Sequence, residues 1–156
     1  MSRANEPPAD GAPLSERDET APGSPAPLRT FIVEDSPVIL ENLSEALEET
    51  SPVSVVGSAG DEGTAVRRLA PPVEIDLVII DLFLRSGSGL GVLRRLRDAG
   101  STSRRIVLTN YASDEIREKC FALGAEKVFD KSTDLEELID YCAGLGDGVQ
   151  AVVHPV

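Results

Sequence analysis

Five side chains of unlike chemistry stand where short apolar runs end: the neighbouring acids Glu34 and Asp35 after LRTFIV, Asp81 after LVII, Thr109 after RIVL, and Lys131 after EKVFD. If the runs are strands of one sheet, three carboxylates, a hydroxyl and an ammonium share an edge. Crowded carboxylates repel unless a cation binds them, and oxygen-only ligation at a shallow site suits a hydrated Mg2+. An ammonium at the opposite lip favours an anion between itself and the metal. Metal, ammonium and hydroxyl together meet the needs of a phosphoryl group in transfer, because each charged oxygen then has a partner. Asp81, the central acid, is the nucleophile of such a scheme and becomes an aspartyl phosphate. Taken singly, the other residues say less. Asp35 before Ser36-Pro37 also reads as a helix-start acid, Thr109 as a β-branched strand end and Lys131 as a solvated lysine. Asp81 differs, since a carboxylate closing the most apolar run has no structural reason to be there.

The elements that must gather these residues are legible as an alternation. Strand-length apolar runs cover Leu28 to Glu34, Val53 to Ala59, Ile75 to Asp81, Arg105 to Thr109 and Glu126 to Asp130. Helical periods fill the gaps, which predicts an α/β fold of five βα units with a parallel sheet. After the first strand Ser36 caps, Pro37 takes the first helical position, and Ile39, Leu43 and Leu47 form one apolar face. Asp61 to Leu69 makes a helix diluted by Gly63 and Thr64. Leu90, Leu93 and Leu96 mark the third helix, and Ile116, Cys120 and Leu123 the fourth. The fifth opens with a capping box of Thr133 and Glu136 and turns Leu135, Leu138, Ile139 and Cys142 inward. Open sheets of this kind collect function at the carboxyl ends of their strands.

Residues 1–27 mix Pro, Gly, Ala and charge without a period and read as a disordered tail; residues 28–146 form the domain. Gly144, Gly146 and Gly148 break the last helical pattern, leaving residues 147–156 as a short C-terminal tail. No output module is expected after Leu145. The net charge of −12 argues against a binder of nucleic acid, whose phosphates it repels. No run approaches the ~20 apolar residues of a membrane span and no secretory signal opens the chain, so a cytoplasmic protein is expected. Two cysteines, Cys120 and Cys142, fall on inward stripes and make neither a disulfide framework nor a zinc site. Gly87, Gly89 and Gly91 lie after the third run and lack the full dinucleotide fingerprint, so they mark a tight turn. Arginines 67, 68, 94, 95 and 97 and the acids Glu41, Glu45, Glu48 and Glu49 read as solvated helix faces.

Over roughly Arg29 to Leu145 the chain resembles the receiver domain of two-component response regulators. The resemblance rests on the acidic pair in FIVEDSPVI, the acid in LVIIDLFL with Gly89 in SGSGL behind it, Thr109 in IVLTNYA, and Lys131 in VFDKST. It implies a five-stranded parallel doubly wound sheet, flavodoxin-like with order 2-1-3-4-5, flanked by five helices. It also implies phosphoryl transfer to Asp81 from a histidine kinase or histidine phosphotransfer protein. Mg2+ would be held by Asp35, Asp81 and the Phe83 carbonyl, with Glu34 acting through a metal-bound water. Thr109 and Lys131 would bind the phosphoryl oxygens and switch the last two βα units. Four positions depart from the pattern. Val128 replaces a common switch aromatic, and strand alternation puts Phe129 on the opposite face. Ser132 stands where proline is usual after the lysine. Arg85 also replaces a proline, which loosens its loop and leaves the chemistry untouched. Asn110 replaces a small residue and narrows access to the pocket.

Two other classes compete with a phosphorylated receiver. A phosphohydrolase with an aspartate nucleophile, of the haloacid dehalogenase type, wants a second acid two residues on, where this chain has Phe83. A non-phosphorylated pseudo-receiver that only binds partners would normally have lost an acid or the lysine, and none is missing. Enzymatic activity beyond accepting and losing the phosphoryl group is not expected. Hydrolysis of an aspartyl phosphate needs an in-line water, so the bulk of Phe83, Asn110 and Tyr111 near the acceptor predicts a long-lived phosphoryl group, unless Asn110 or the Tyr111 hydroxyl holds that water and speeds its attack.

Overall fold

A computed structural model describes residues 26–71 and 73–145. The predicted tails lie outside these residues, apart from the two that precede the first strand. Five strands, β1 (Leu28–Val33), β2 (Val53–Ala59), β3 (Leu77–Asp81), β4 (Arg104–Thr109) and β5 (Lys127–Asp130), alternate with α1 (Pro37–Thr50), α2 (Glu62–Arg68), α3 (Gly89–Asp98), α4 (Asp114–Ala122) and α5 (Leu135–Leu145). The strands are parallel in the order β2-β1-β3-β4-β5, as expected.

Period-two alternation sorts the strand residues between two cores. Phe31, Val33, Val78, Ile80, Val107 and Val128 face α2, α3 and α4, which supply Ala65, Val92, Leu93, Leu96 and Cys120. Ile32, Leu77, Ile79, Ile106, Leu108 and Phe129 face α1 and α5, which supply Leu43, Leu47, Leu138 and Cys142. All five residues of β3 are buried, as befits a central strand covered on both faces. Truncating Leu138 or Leu93 to Ala, both fully buried, is expected to cost about 2–5 kcal/mol through lost burial and a residual cavity.

Several boundaries and faces differ from the sequence reading. β1 stops at Val33, so Glu34 sits in the connection with Asp35, and β3 begins at Leu77, just after Asp76, whose carboxylate accepts the Arg29 N–H at 2.8 Å. Ile39 is 37% exposed and Leu135 41%, while Leu40 packs inward in place of Ile39. The Thr133 capping box does not form: the Thr133 hydroxyl donates to the Asp134 carboxylate at 3.0 Å, and Leu138 N–H donates to the Asp134 carbonyl, which makes Asp134 the helix cap. Gly144 continues α5, where a Cβ would meet nothing within 4 Å. The Ser36 cap on α1 forms as expected, its hydroxyl accepting the Ile39 N–H at 3.3 Å.

The turn after β3 is where glycine is required. Gly87 has φ 81°, a left-handed conformation, and a Cβ on Gly89 would come within 2.8 Å of Leu82 Cα. Glu62 locks this turn from α2: its carboxylate accepts the Ser88 N–H at 2.9 Å and lies against Gly91, where a Cβ would meet Glu62 Oε1 at 2.7 Å. Of the three glycines only Gly87 makes the turn; Gly89 and Gly91 belong to α3, where Gly91 leaves room for an acid from the neighbouring helix.

Candidate functional site

Sequence order and sheet topology bring the ends of β1 and β3 side by side, since Val33 pairs with Ile80 one step before Asp81. Glu34, Asp35 and Asp81 each offer a carboxylate oxygen within 4.8 Å of the others. Glu34 is 4% exposed and Asp81 5%, so two of the three acids are withdrawn from water. Lys131, carried in from beyond β5, bridges them. Its Nζ lies 2.9 Å from Glu34 Oε1 and 2.9 Å from Asp81 Oδ2.

The charges are held by specific donors. Glu34 Oε2 accepts the Ser36 N–H at 3.0 Å, and Asp81 Oδ1 accepts the Phe83 N–H at 3.1 Å. Burial pushes the Glu34 carboxyl above its ordinary value, and the bonds from Lys131 and Ser36 offset only part of this. Burial alone would lower the Lys131 ammonium, but the hydrogen bonds it donates to Glu34 and Asp81, and their charge, hold it above its ordinary value. Thr109 is fully buried, and its hydroxyl accepts the Tyr111 N–H at 3.3 Å. The Lys131 N–H donates to the Thr109 carbonyl at 2.8 Å, which ties the hydroxyl-bearing and ammonium-bearing residues together.

The lifetime residues fall less uniformly. The rings of Phe83 and Tyr111 meet edge to face with centroids 5.4 Å apart, linking the loops after β3 and β4. Both are exposed, and Asn110 is exposed too. Val128 and Phe129 enter opposite cores, so no ring occupies the position three before Lys131. Arg85 corrects the sequence reading outright. Its N–H donates to Asp35 Oδ2 at 2.7 Å and its Nη2 to the Asp35 carbonyl at 3.0 Å. Sequence reasoning missed this contact and that of Glu62, because both join residues far apart in the chain.

The donor set is wholly oxygen, three carboxylates with their charge only partly met by one ammonium. Such a set fits a small hard dication, and the Lys131 Nζ between Glu34 and Asp81 already occupies a cation's place there. Residues 30–143 match the response regulator receiver domain family.

The chain belongs to that family.

As a receiver domain it is 35% identical over 118 residues to the nitrate/nitrite response regulator protein NarP of Escherichia coli (strain K12), covering 73% of this chain and 53% of that one. It is 29% identical over 121 residues to the DNA-binding transcriptional activator DevR/DosR of Mycobacterium tuberculosis (strain ATCC 25618 / H37Rv), covering 78% and 55%. The chain thus spans about half the length of these curated relatives. A two-component response regulator of the LuxR family from Aurantimonas sp. SI85-9A1 superposes with a TM-score of 0.70 at 28% identity, over 78% of this chain and 86% of that one. Among the described residues no helix is long and apolar enough to cross a membrane.

Proposed function

We infer that this receiver domain accepts a phosphoryl group on Asp81 from the phosphohistidine of a histidine kinase or phosphotransfer protein, in the cytoplasm, and signals by the change that follows. The observation that carries the reading is the meeting of Glu34, Asp35 and Asp81 at the carboxyl edge of the sheet, with the half-buried Lys131 ammonium bridging Glu34 and Asp81. Asp81 is the acid on the central strand, and a Phe83 N–H already orients its carboxylate. In the transfer an Asp81 oxygen bonds to phosphorus as the donor's P–N bond breaks. The imidazole keeps that electron pair and takes up a proton from solvent. Asp35, Asp81 and the Phe83 carbonyl would hold Mg2+, with Glu34 reaching it through a water; the ion supplies charge neutralisation for the phosphoryl oxygens.

Lys131 leaves its two carboxylates to grip one phosphoryl oxygen, and the Thr109 hydroxyl takes another. Because Lys131 and Thr109 are joined by a main-chain bond, the grip moves the ends of β4 and β5 together. No ring stands at Val128 to follow, so the response is confined to the loop after Thr109 and to α4. The Phe83 and Tyr111 rings shield the phosphoryl group from in-line water, and Asn110 is the third residue beside that path. Faster decay in Phe83→Ala, Asn110→Ala and Tyr111→Ala tests the shielding; slower decay would mean that these side chains position the water.

The acids and the lysine are all in place, which disfavours a pseudo-receiver, and Phe83 supplies no second acid for a phosphohydrolase. Incubation with a small phosphodonor and Mg2+ is expected to add one base-labile phosphoryl group, absent in Asp81→Asn. Full labelling of that variant would overturn the assignment.

A further inference from the structure

Arg85 touches Asp35 through three of its atoms. The main-chain N–H donates to Asp35 Oδ2 at 2.7 Å, Nε lies 3.8 Å from the same oxygen, and Nη2 donates to the Asp35 carbonyl at 3.0 Å. Asp35 is the acid of the triad that Lys131 does not reach: the ammonium bridges Glu34 and Asp81 alone. Each acid of the cluster therefore already has a cation beside it, and two different residues provide them.

The two cations differ in how they are held. The Lys131 side chain is 13% exposed and bound between two buried carboxylates. The Arg85 side chain is 77% exposed and its partner Asp35 20%, so the guanidinium sits at the mouth of the site, where solvent can replace it. An isolated pair this exposed adds little to stability. Its effect on a dication is larger, because the repulsion scales with the metal's double charge and acts at the ligand itself.

We propose that Arg85 is a positioning residue that competes with the divalent cation for Asp35 and so raises the Mg2+ concentration at which the acidic site fills. The inference rests on the reading of Glu34, Asp35 and Asp81 as the metal site. The main-chain N–H steadies the carboxylate whichever side chain follows it, whereas the guanidinium must move off Asp35 for the metal to enter. Loading the site then frees the guanidinium at its mouth.

Titration of the whole chain with MgCl2, followed by amide chemical shifts without any phosphodonor, separates these contributions. Arg85→Ala keeps the N–H and removes the guanidinium, and is expected to tighten Mg2+ binding about threefold to tenfold. Arg85→Gln should match it, and Arg85→Lys should restore most of the parent's weaker affinity. The gap between parent and Arg85→Ala should narrow in about 0.5 M KCl, as screening of an exposed charge requires. Unchanged or weaker binding in Arg85→Ala would overturn the proposal while leaving the metal site intact. A lysine variant indistinguishable from glutamine would overturn it too, because charge would then not be the cause. A parent chain that binds no Mg2+ at all would overturn the metal site and this inference together.

Discussion

The two edges of the sheet carry charged networks of opposite character. At the amino edge Arg104 meets Glu126 with paired contacts, Nε to Oε1 at 3.1 Å and Nη2 to Oε2 at 3.1 Å, and Tyr141 donates its hydroxyl to the same carboxylate. Lys127 lies 5.5 Å above the Tyr141 ring. The carboxylate there is matched by a guanidinium, and fork-on-carboxylate geometry fixes both. At the carboxyl edge the half-buried Lys131 ammonium bridges Glu34 and Asp81, and the exposed Arg85 guanidinium lies beside Asp35. A network whose charges close on themselves holds β4, β5 and α5 together. One left short of positive charge keeps carboxylate oxygens that a further cation could use.

Removing Lys131 attacks this contrast where it is strongest. Lys131→Met leaves Glu34 and Asp81 facing each other in the protein, and is expected to cost about 3 kcal/mol of stability without metal. Millimolar MgCl2 should return a large part of that loss, which urea unfolding with and without the ion will measure. Glu126→Gln at the other edge should cost about 1–3 kcal/mol, because Arg104 loses its charged partner. Mg2+ should recover none of it. Equal metal dependence in the two variants would erase the distinction between the edges.

Smaller effects sharpen it further. Tyr141 is pushed up to about 12, first by burial and then by its bond to Glu126. A phenol whose folded value is raised contributes stability fully present below its ordinary 10.0 and lost as pH rises through about 12. Tyr141→Phe removes the bond to Glu126 and should cost about 1 kcal/mol at neutral pH, a difference that closes in strong base. Asp35→Ala should change stability least, by about 0.5 kcal/mol or less, since relief of repulsion offsets loss of the exposed Arg85 contacts. Yet it should weaken Mg2+ binding more than any variant at the amino edge, which calorimetric titration will show.

The fold was legible because each strand is a short run with its own alternation, and the acids and the lysine fall at the ends of those runs. Local signals failed where a tertiary partner decided the outcome. Ile39 and Leu135 carry the apolar character of an inward stripe, but they fall in the first turns of α1 and α5, which are exposed. Asp134 took the cap from Thr133 because its carboxylate also accepts the Asp130 N–H at 3.0 Å, closing the turn after β5. Arg85 looked inert as a missing proline; what a proline lacks is the N–H that reaches Asp35 across 50 residues of sequence. Glu62 gave no signal either, since the space it fills exists only because Gly91, on another helix, has no side chain.

One thiol lies in each core: Cys120 packs between the sheet and α4, and Cys142 between the sheet and α5. Both are fully buried, and burial pushes them up to about 11 and about 12, so neither presents a thiolate at neutral pH while its layer is closed. The chain thus carries two clocks, one on each side of its sheet. Timed alkylation read peptide by peptide by mass spectrometry would report the opening of each layer separately. A perturbation at the carboxyl edge that loosens only the α4 side should quicken labelling at Cys120 and leave Cys142 at its resting pace.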